Sequence, residues 1–240
     1  MSEPAIALVV GASRGIGLAI TRNLLGRHSV KRLYATYRDA GTASSLLGIR
    51  DDRLTTVMAD VTREQDLSAL ADALRSNGDA PDLVVHAAGI LHERDVQPEK
   101  SLAQCRHDAL RRAFEVNSIG PLMLARAILP LMPRRQPSQL AALSAMVGSI
   151  GDNRLGGWYG YRASKAALNQ FLRTLAVECR RTHPGICITA VHPGTTDTDL
   201  SKPFQGNVEP GKLYTPEQSA ERSAYCRWFA REPRKKAAGS

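Results

Sequence analysis

Tyr161 and Lys165 stand four residues apart in a stretch whose apolar residues recur with helical period. That spacing puts a phenol and an ammonium on one helix face, one turn from each other. Such a pair can move a proton. A carbonyl that accepts hydride becomes an alkoxide and must be protonated, but a free phenol, with a pKa of about 10, is a poorly matched acid–base group near neutrality. A neighbouring cation stabilises the phenolate and brings that value down. Tyr-x-x-x-Lys also recurs on helices by accident, so its weight depends on what surrounds it.

The second group of interest is Gly11-Ala12-Ser13-Arg14-Gly15-Ile16-Gly17, directly after the apolar run Ala5–Val10 and opening an amphipathic stretch. Glycines here allow a tight turn, let backbone come close to a pyrophosphate and let a helix pack on its strand. The free N–H groups of the first helical turn then face negative charge. Gly11, Ser13, Arg14, Gly15, Ile16 and Gly17 are accordingly candidate dinucleotide-binding residues, although a glycine-rich loop by itself is also compatible with a plain strand–helix turn. At the end of the second apolar run, Tyr34-Ala35-Thr36-Tyr37-Arg38 carries no acidic residue where an NAD site holds its ribose hydroxyls. Arg14 and Arg38 offer guanidinium groups suited to a 2′-phosphate, which favours NADP(H) over NAD(H). Two alternatives stand beside this: both arginines are solvated surface residues, or Asp39, the next residue, serves a ribose.

These groups must be positioned by something, and the chain supplies an alternation of short apolar runs and longer amphipathic ones. Strands are predicted over Ala5–Val10, Arg32–Tyr37, Leu54–Met58, Leu83–His86, Gln139–Leu143 and Cys187–His192. The most continuous of them lack inside/outside alternation, as strands covered on both faces do. Helices are predicted over Gly15–Leu25, Glu64–Asn77, Leu110–Met132, Tyr161–Arg181 and Pro216–Arg231, the last with Thr215 as its cap. The simplest architecture is α/β: one doubly wound parallel sheet of the Rossmann type with helices on both faces, in a single domain over residues 1–231. A basic tail, 232–240, is expected to be disordered.

Composition sets the outer bounds. The 240 residues are 43% hydrophobic and 23% charged, as in ordinary globular proteins, which excludes collagen-like and wholly disordered chains. No run reaches the roughly 18 apolar residues of a membrane span, and Met1–Pro4 lacks the features of a secretory leader, so the expected location is the cytoplasm, with no membrane partner. The four cysteines, Cys105, Cys179, Cys187 and Cys226, have no metal-ligand spacing; no metal site is expected, and a reducing compartment fits them. The formal charge of +9 favours anionic partners, but it is spread over scattered arginines and the tail without a reading motif, which argues against nucleic acid.

Six signatures in order along the chain resemble the short-chain dehydrogenase/reductase family over Ala5–Leu200. They are the Gly11–Gly17 loop, Asp60-Val61, His86-Ala87-Ala88-Gly89, Asn117, Tyr161-Arg162-Ala163-Ser164-Lys165 and Pro193-Gly194-Thr195-Thr196-Asp197-Thr198. The stretch Gly148–Lys165 is similar to the C-factor and sniffer-like carbonyl reductases. The resemblance implies an NADP-dependent oxidoreductase moving hydride between nicotinamide and a small carbonyl or alcohol substrate, with Tyr161 as acid/base. Its alternative is a C-factor-like nucleotide-binding signalling or scaffold protein with little turnover.

By the same resemblance Asp60 and Val61 contact the adenine, and Ala87, Ala88 and Gly89 run beside the cofactor ribose. Lys165 holds the nicotinamide ribose, while Pro193, Gly194, Thr196 and Thr198 border the carboxamide and pyrophosphate. Asp60 is also placed to cap a helix. Asn117 is expected at a distortion of the long helix, holding a water that joins the lysine to solvent; an ordinary buried amide is the other reading. His86 replaces the commoner Asn and is expected to satisfy a neighbouring backbone group.

The family serine that polarises the substrate carbonyl is where the pattern breaks. The usual Ser-Ser-x-x-Gly is here Ser144-Ala145-Met146-Val147-Gly148, so the acting position, counted back from Gly148, holds Ala145. Ser144 is the preferred substitute, with Ser149 second. Tyr159 is expected to pack or to form pocket wall. The segment Asp199–Tyr214 is a candidate lid, and Met146, Trp158, Leu200 and Phe204 a candidate apolar wall for a small or medium carbonyl compound. The family's seventh strand and apolar C-terminus have no counterpart in the basic Glu232–Ser240. Homodimer or homotetramer contacts through Leu110–Met132 and Tyr161–Arg181 are expected to survive that change.

Overall fold

The computed structural model describes residues 4–93 and 96–229. Six parallel strands form one sheet: β1 (Ile6–Val10), β2 (Arg32–Tyr37), β3 (Leu54–Met58), β4 (Leu83–His86), β5 (Ser138–Leu143) and β6 (Ile186–Val191), in the order β3-β2-β1-β4-β5-β6. Parallel order with the chain reversing direction at β1 and β4 is the doubly wound arrangement expected from the sequence, and its switch point lies between those two strands.

The unbroken apolar character of the strands has a direct cause. Leu8 and Val10 of β1 are buried with Leu67, Leu70, Leu124 and Leu168 on one face, whereas Ala7 and Val9 are buried with Leu18, Ile20 and Leu24 on the other. A strand that alternates between two dry faces needs apolar side chains at every position. Each fully buried Leu or Val contributes roughly 1.5–3 kcal/mol, so both layers of helices are held by the same strands. The helices are α1 (Gly15–Leu25), the short α2 (Ser44–Leu47), α3 (Glu64–Ser76), α4 (His107–Phe114), α5 (Gly120–Ile128), α6 (Tyr159–Thr182) and α7 (Pro216–Phe229).

The predicted helix Leu110–Met132 is not one helix. It begins earlier, at His107, and between α4 and α5 the chain widens into a π turn over Glu115–Ile119. Pro121, just inside α5, has no N–H to give to the preceding turn, and the side chain of Asn117 bonds sideways to Ile90, so the regular ladder is interrupted there. Pro130 then ends the regular α-helix at Ile128 in a short 3-10 turn, before the predicted stop. Within the predicted lid segment and just before it, β7 (Thr195–Thr196) and β8 (Leu213–Tyr214) pair as a small parallel ribbon. The turn Lys202–Asn207 between them is 3-10 helical. The expected tail Glu232–Ser240, with the question of a seventh strand, lies outside the described residues.

Candidate active site

A cleft of about 1830 Å³ opens at the C-terminal ends of β1, β4 and β5, and every residue assigned from sequence to the dinucleotide lines it. The volume exceeds the roughly 300–1,000 Å³ of drug-sized pockets, leaving room for a dinucleotide and a second molecule. Its floor is the loop into α1. Gly11 has φ +80°, and a Cβ there would sit 2.6 Å from the Ala88 nitrogen; one on Gly17 would collide with the Gly11 carbonyl oxygen. The two loops that follow β1 and β4 therefore approach as closely as backbone permits, and only glycine fits. Helix α1 has no acidic residue in its first turn and no side-chain cap, so its N–H groups face the cleft with their positive character intact.

At the outer end, the two arginines assigned to a 2′-phosphate both line the cleft, and both are engaged by carboxylates. Arg14 Nη1 lies 3.1 Å from Asp199 Oδ2, and Arg38 Nη1 lies 3.0 Å from Glu93 Oε1. Asp39 accepts a hydrogen bond from the Gly41 N–H at 3.1 Å, capping the next turn, and is not among the residues lining the cleft. Asp60 lines it while accepting bonds from the Thr62 N–H at 2.9 Å and the Thr62 hydroxyl at 2.7 Å; this closes a local turn, and the helix cap given as its other reading falls instead to Arg63, which makes no side-chain cap bond.

The inner end holds Tyr161 and Lys165. Lys165 is buried, its Nζ lies 5.8 Å from the centroid of the Tyr161 ring, and it donates to the Leu143 carbonyl oxygen at 2.8 Å. Burial brings the lysine down to about 8. The same burial pushes the Tyr161 phenol up to about 12, opposite to the lowering anticipated from the adjacent ammonium. The reason is that desolvation of a phenolate in this dry corner outweighs the charge of an amine that is itself turned toward a carbonyl oxygen.

Asn117 is fully buried in the π turn behind these two residues. Its amide donates to the Ile90 carbonyl at 2.8 Å and to Ser164 Oγ at 3.1 Å, and its Oδ1 accepts from the Ile90 N–H at 2.8 Å. Ser164 in turn donates to the Tyr161 carbonyl at 2.9 Å. The amide thus ties the loop after β4 to the helix that carries Tyr161. The distortion expected at Asn117 is present, and so is its bonding to a neighbouring segment.

Ser144 lines the cleft, but its hydroxyl donates to Asn169 Oδ1 at 2.7 Å, one turn beyond Lys165 on α6. Ala145 is in the cleft wall beside it, while Ser149 is not among the lining residues. Thr196 is buried, with its hydroxyl 2.6 Å from that of Ser219, and its carbonyl accepts from Thr198 Oγ1 at 3.4 Å and from the Ser201 hydroxyl. His86 bonds its own backbone rather than a neighbour, and its Nε2 is buried with no partner among the described residues. Burial, with the nearby Lys165 charge, brings this imidazole down to about 3, so it is neutral.

The expected apolar wall is present. Trp158 packs edge-on against Phe204 at 5.1 Å between ring centroids and against Tyr161 at 6.2 Å, and Met146 and Leu200 also line the cleft. Tyr159 is instead 43% exposed and outside the lining.

Several contributors were not singled out from sequence. Glu93, in the loop after β4, pairs with both Arg38 and Arg112, the latter on α4; Glu99, buried, accepts the Gly160 N–H at 3.1 Å at the start of α6; Ser164 and Asn169 complete the hydrogen bonds above. Only Ser164 had a signal, its place inside the Tyr161–Lys165 motif. The others depend on contacts between distant segments.

A doubly wound sheet with a glycine cradle at its switch point and a buried Tyr–Lys pair at the inner end of the cleft defines a dinucleotide-dependent oxidoreductase. The sequence profile described as short chain dehydrogenase matches residues 5–209. The chain belongs to that family. A curated relative, the 1-hydroxy-2-glutathionyl-2-methyl-3-butene dehydrogenase of a Rhodococcus strain, is 33% identical over 89% of this chain and 86% of its own length. Among solved structures, the NADPH-bound carbonyl reductase from chicken fatty liver is 28% identical with a TM-score of 0.79, covering 92% of this chain and 86% of that one. An NADP-bound short-chain dehydrogenase/reductase from Burkholderia multivorans is 27% identical with a TM-score of 0.76, covering 91% and 88%. No helix among the described residues is long and apolar enough to cross a membrane.

Proposed function

We propose that this oxidoreductase is an NADP-dependent carbonyl reductase in which Tyr161 delivers the proton. The observation that carries the reading is the placement of the Lys165 ammonium 5.8 Å from the Tyr161 ring, at the inner end of a cleft whose outer end holds Arg14 and Arg38. The residues present fit a nicotinamide dinucleotide: the close approach at Gly11 and Gly17 makes the cradle, the uncapped α1 N-terminus would receive the pyrophosphate, and the guanidinium groups of Arg14 and Arg38 would receive the 2′-phosphate. Bound nicotinamide supplies the hydride and, once oxidised, a positive charge beside the phenol.

The chain does the rest. Gly11, Gly15 and Gly17 would hold the dinucleotide, Lys165 stabilises negative charge at Tyr161, and Tyr161 keeps a proton on its oxygen until an alkoxide forms. Asn117 is assigned the relay between Lys165 and solvent, and Trp158, Phe204 and Met146 exclude water around a small or medium carbonyl compound. The activities named for two relatives, reduction of a carbonyl and dehydrogenation of a 1-hydroxy compound, support a carbonyl/alcohol couple. We also assign homodimer or homotetramer contacts to α4, α5 and α6, where Ile119, in the π turn between α4 and α5, and Val177, on α6, are exposed.

One observation favours a second reading, a nucleotide-binding protein with little turnover: Ala145 offers no hydroxyl, and that of Ser144 is engaged by Asn169. Equilibrium titration with NADPH and NADH tests the cofactor assignment. NADPH is expected to bind about tenfold more tightly, and Arg38→Ala to erase much of the difference; equal affinities refute the assignment. Following NADPH absorbance against a panel of carbonyl compounds separates enzyme from binder.

A further inference from the structure

The Glu93 carboxylate is shared between two guanidinium groups at the outer end of the cleft. Its Oε1 lies 3.0 Å from Arg38 Nη1, at the end of β2, and its Oε2 lies 3.1 Å from Arg112 Nε, on α4. All three residues line the cleft, with Asp60 beside them. Glu93 is also held by its backbone: its N–H donates to the Val96 carbonyl at 2.9 Å, and the Val96 N–H returns a bond at 3.2 Å. The antiparallel bridge to Val96 thus fixes the backbone of Glu93 beside the arginines, and 26% of its side chain is exposed.

We propose that Arg38 and Arg112 form one seat for the 2′-phosphate of NADP(H), and that Glu93 is the internal anion that phosphate displaces. Arg112 is thus a further cofactor-binding residue, and Glu93 sets how strongly NADPH is preferred to NADH. This rests on the reading of Arg38 given above.

The argument is one of charge and shape. A carboxylate offering one oxygen to each of two guanidinium groups has the arrangement of two oxygens of a phosphate monoester, and two planar donors converging on one anion are suited to such a group. The dianion carries more charge than the carboxylate, so it wins the seat. NADH, lacking that phosphate, leaves the Glu93 bridge in place. The field of the two arginines reaches the pocket floor: burial pushes the Asp60 carboxyl up, but the Thr62 bonds and the charges of Arg112 and Arg38 hold it below its usual range. A seat already filled by an internal competitor weakens the apparent affinity for the ligand in proportion to the fraction occupied.

Equilibrium titration of the full chain with NADPH and with NADH, at two salt concentrations, tests this. Glu93→Gln, which keeps the shape and removes the charge, is expected to tighten NADPH by about threefold and leave NADH unchanged, the range expected for release of a partly exposed ion pair. Arg112→Ala is expected to weaken NADPH by about tenfold, to leave NADH within about twofold, and to flatten the salt dependence of NADPH binding. Arg112→Lys, retaining charge without the fork, is expected to fall between. The proposal is overturned if Glu93→Gln weakens NADH, since Glu93 would then be holding a ribose, or if it fails to tighten NADPH. Equal loss of both cofactors in Arg112→Ala also overturns it. If wild type shows no preference for NADPH, the cofactor reading itself has failed; if Arg38→Ala erases a preference that Glu93→Gln and Arg112→Ala leave intact, only this inference has failed.

Discussion

Lys165 Nζ faces the Tyr161 ring at 5.8 Å while giving a hydrogen bond to the Leu143 carbonyl oxygen at 2.8 Å. The last residue of β5 thus fixes the amine that accompanies the phenol, and the sheet, rather than the helix alone, sets the geometry of the pair. Burial acts on both members in the direction of neutrality, the lysine falling to about 8 and the tyrosine rising to about 12.

The pH dependence of carbonyl reduction follows from those directions. The Tyr161 phenol keeps its proton throughout the neutral range, so no loss of the acid is expected there. Lys165 is charged below about 8 and loses its proton above it. The value of kcat/KM, which reports the free enzyme, is expected to be level near pH 6–7 and to fall as pH rises through about 8. In Lys165→Arg, whose guanidinium stays charged, that fall is expected to disappear even if the rate is lower. A wild-type profile level up to pH 10 contradicts the assignment.

A hydroxyl restored to the wall of the cleft is expected to raise turnover. Ala145→Ser places a donor next to Ser144, and a single donor to a developing oxyanion contributes on the order of a hundredfold where it is well aimed. Steady-state reduction of one carbonyl compound is expected to show kcat up by about tenfold or more. Ser144→Ala is expected to change kcat less than about threefold while lowering stability by about 1 kcal/mol through loss of the bond to Asn169, read as a drop in Tm. A collapse of kcat in Ser144→Ala would return the polarising role to that residue.

The strands β1 to β6, the helix that carries Tyr161 and the loop Gly11–Gly17 were legible because each is written locally: apolar runs for strands covered on both faces, period for the helix, glycine where a Cβ has no room. The break at Glu115–Ile119 is invisible to the apolar period, which continues across it; only the family resemblance pointed to a distortion at Asn117, because the break depends on Asn117 reaching Ile90 from far along the chain. The direction of the Tyr161 shift was missed because the spacing of two residues reports their mutual charge effect but not how much water the surrounding fold removes. Glu93 and Arg112 were missed for a related reason. A Glu and an Arg nineteen residues apart carry no period that links them, and only the folded loop after β4 brings them to Arg38.

Acid stability carries the mark of His86. Its imidazole is buried and brought down to about 3, below the 6.5 of the unfolded chain. The unfolded state therefore binds a proton that the folded state refuses between those values, and stability is full above about 6.5 and lost progressively as pH falls toward about 3. Between pH 6.5 and pH 5 this amounts to about 2 kcal/mol. Denaturant melts at pH 7 and pH 5 are expected to show a difference smaller by about that amount in His86→Asn than in wild type. The same pH difference in both proteins would remove His86 from the account.

The proton donor is tested most directly by Tyr161→Phe, measured for NADPH binding and for carbonyl reduction in the same preparation. The phenyl ring keeps the packing against Trp158 and removes only the hydroxyl. NADPH affinity is expected to stay within about threefold of wild type while kcat falls by roughly a hundredfold or more, the usual contribution of a positioned acid. Reduction at the wild-type rate with cofactor bound contradicts the account.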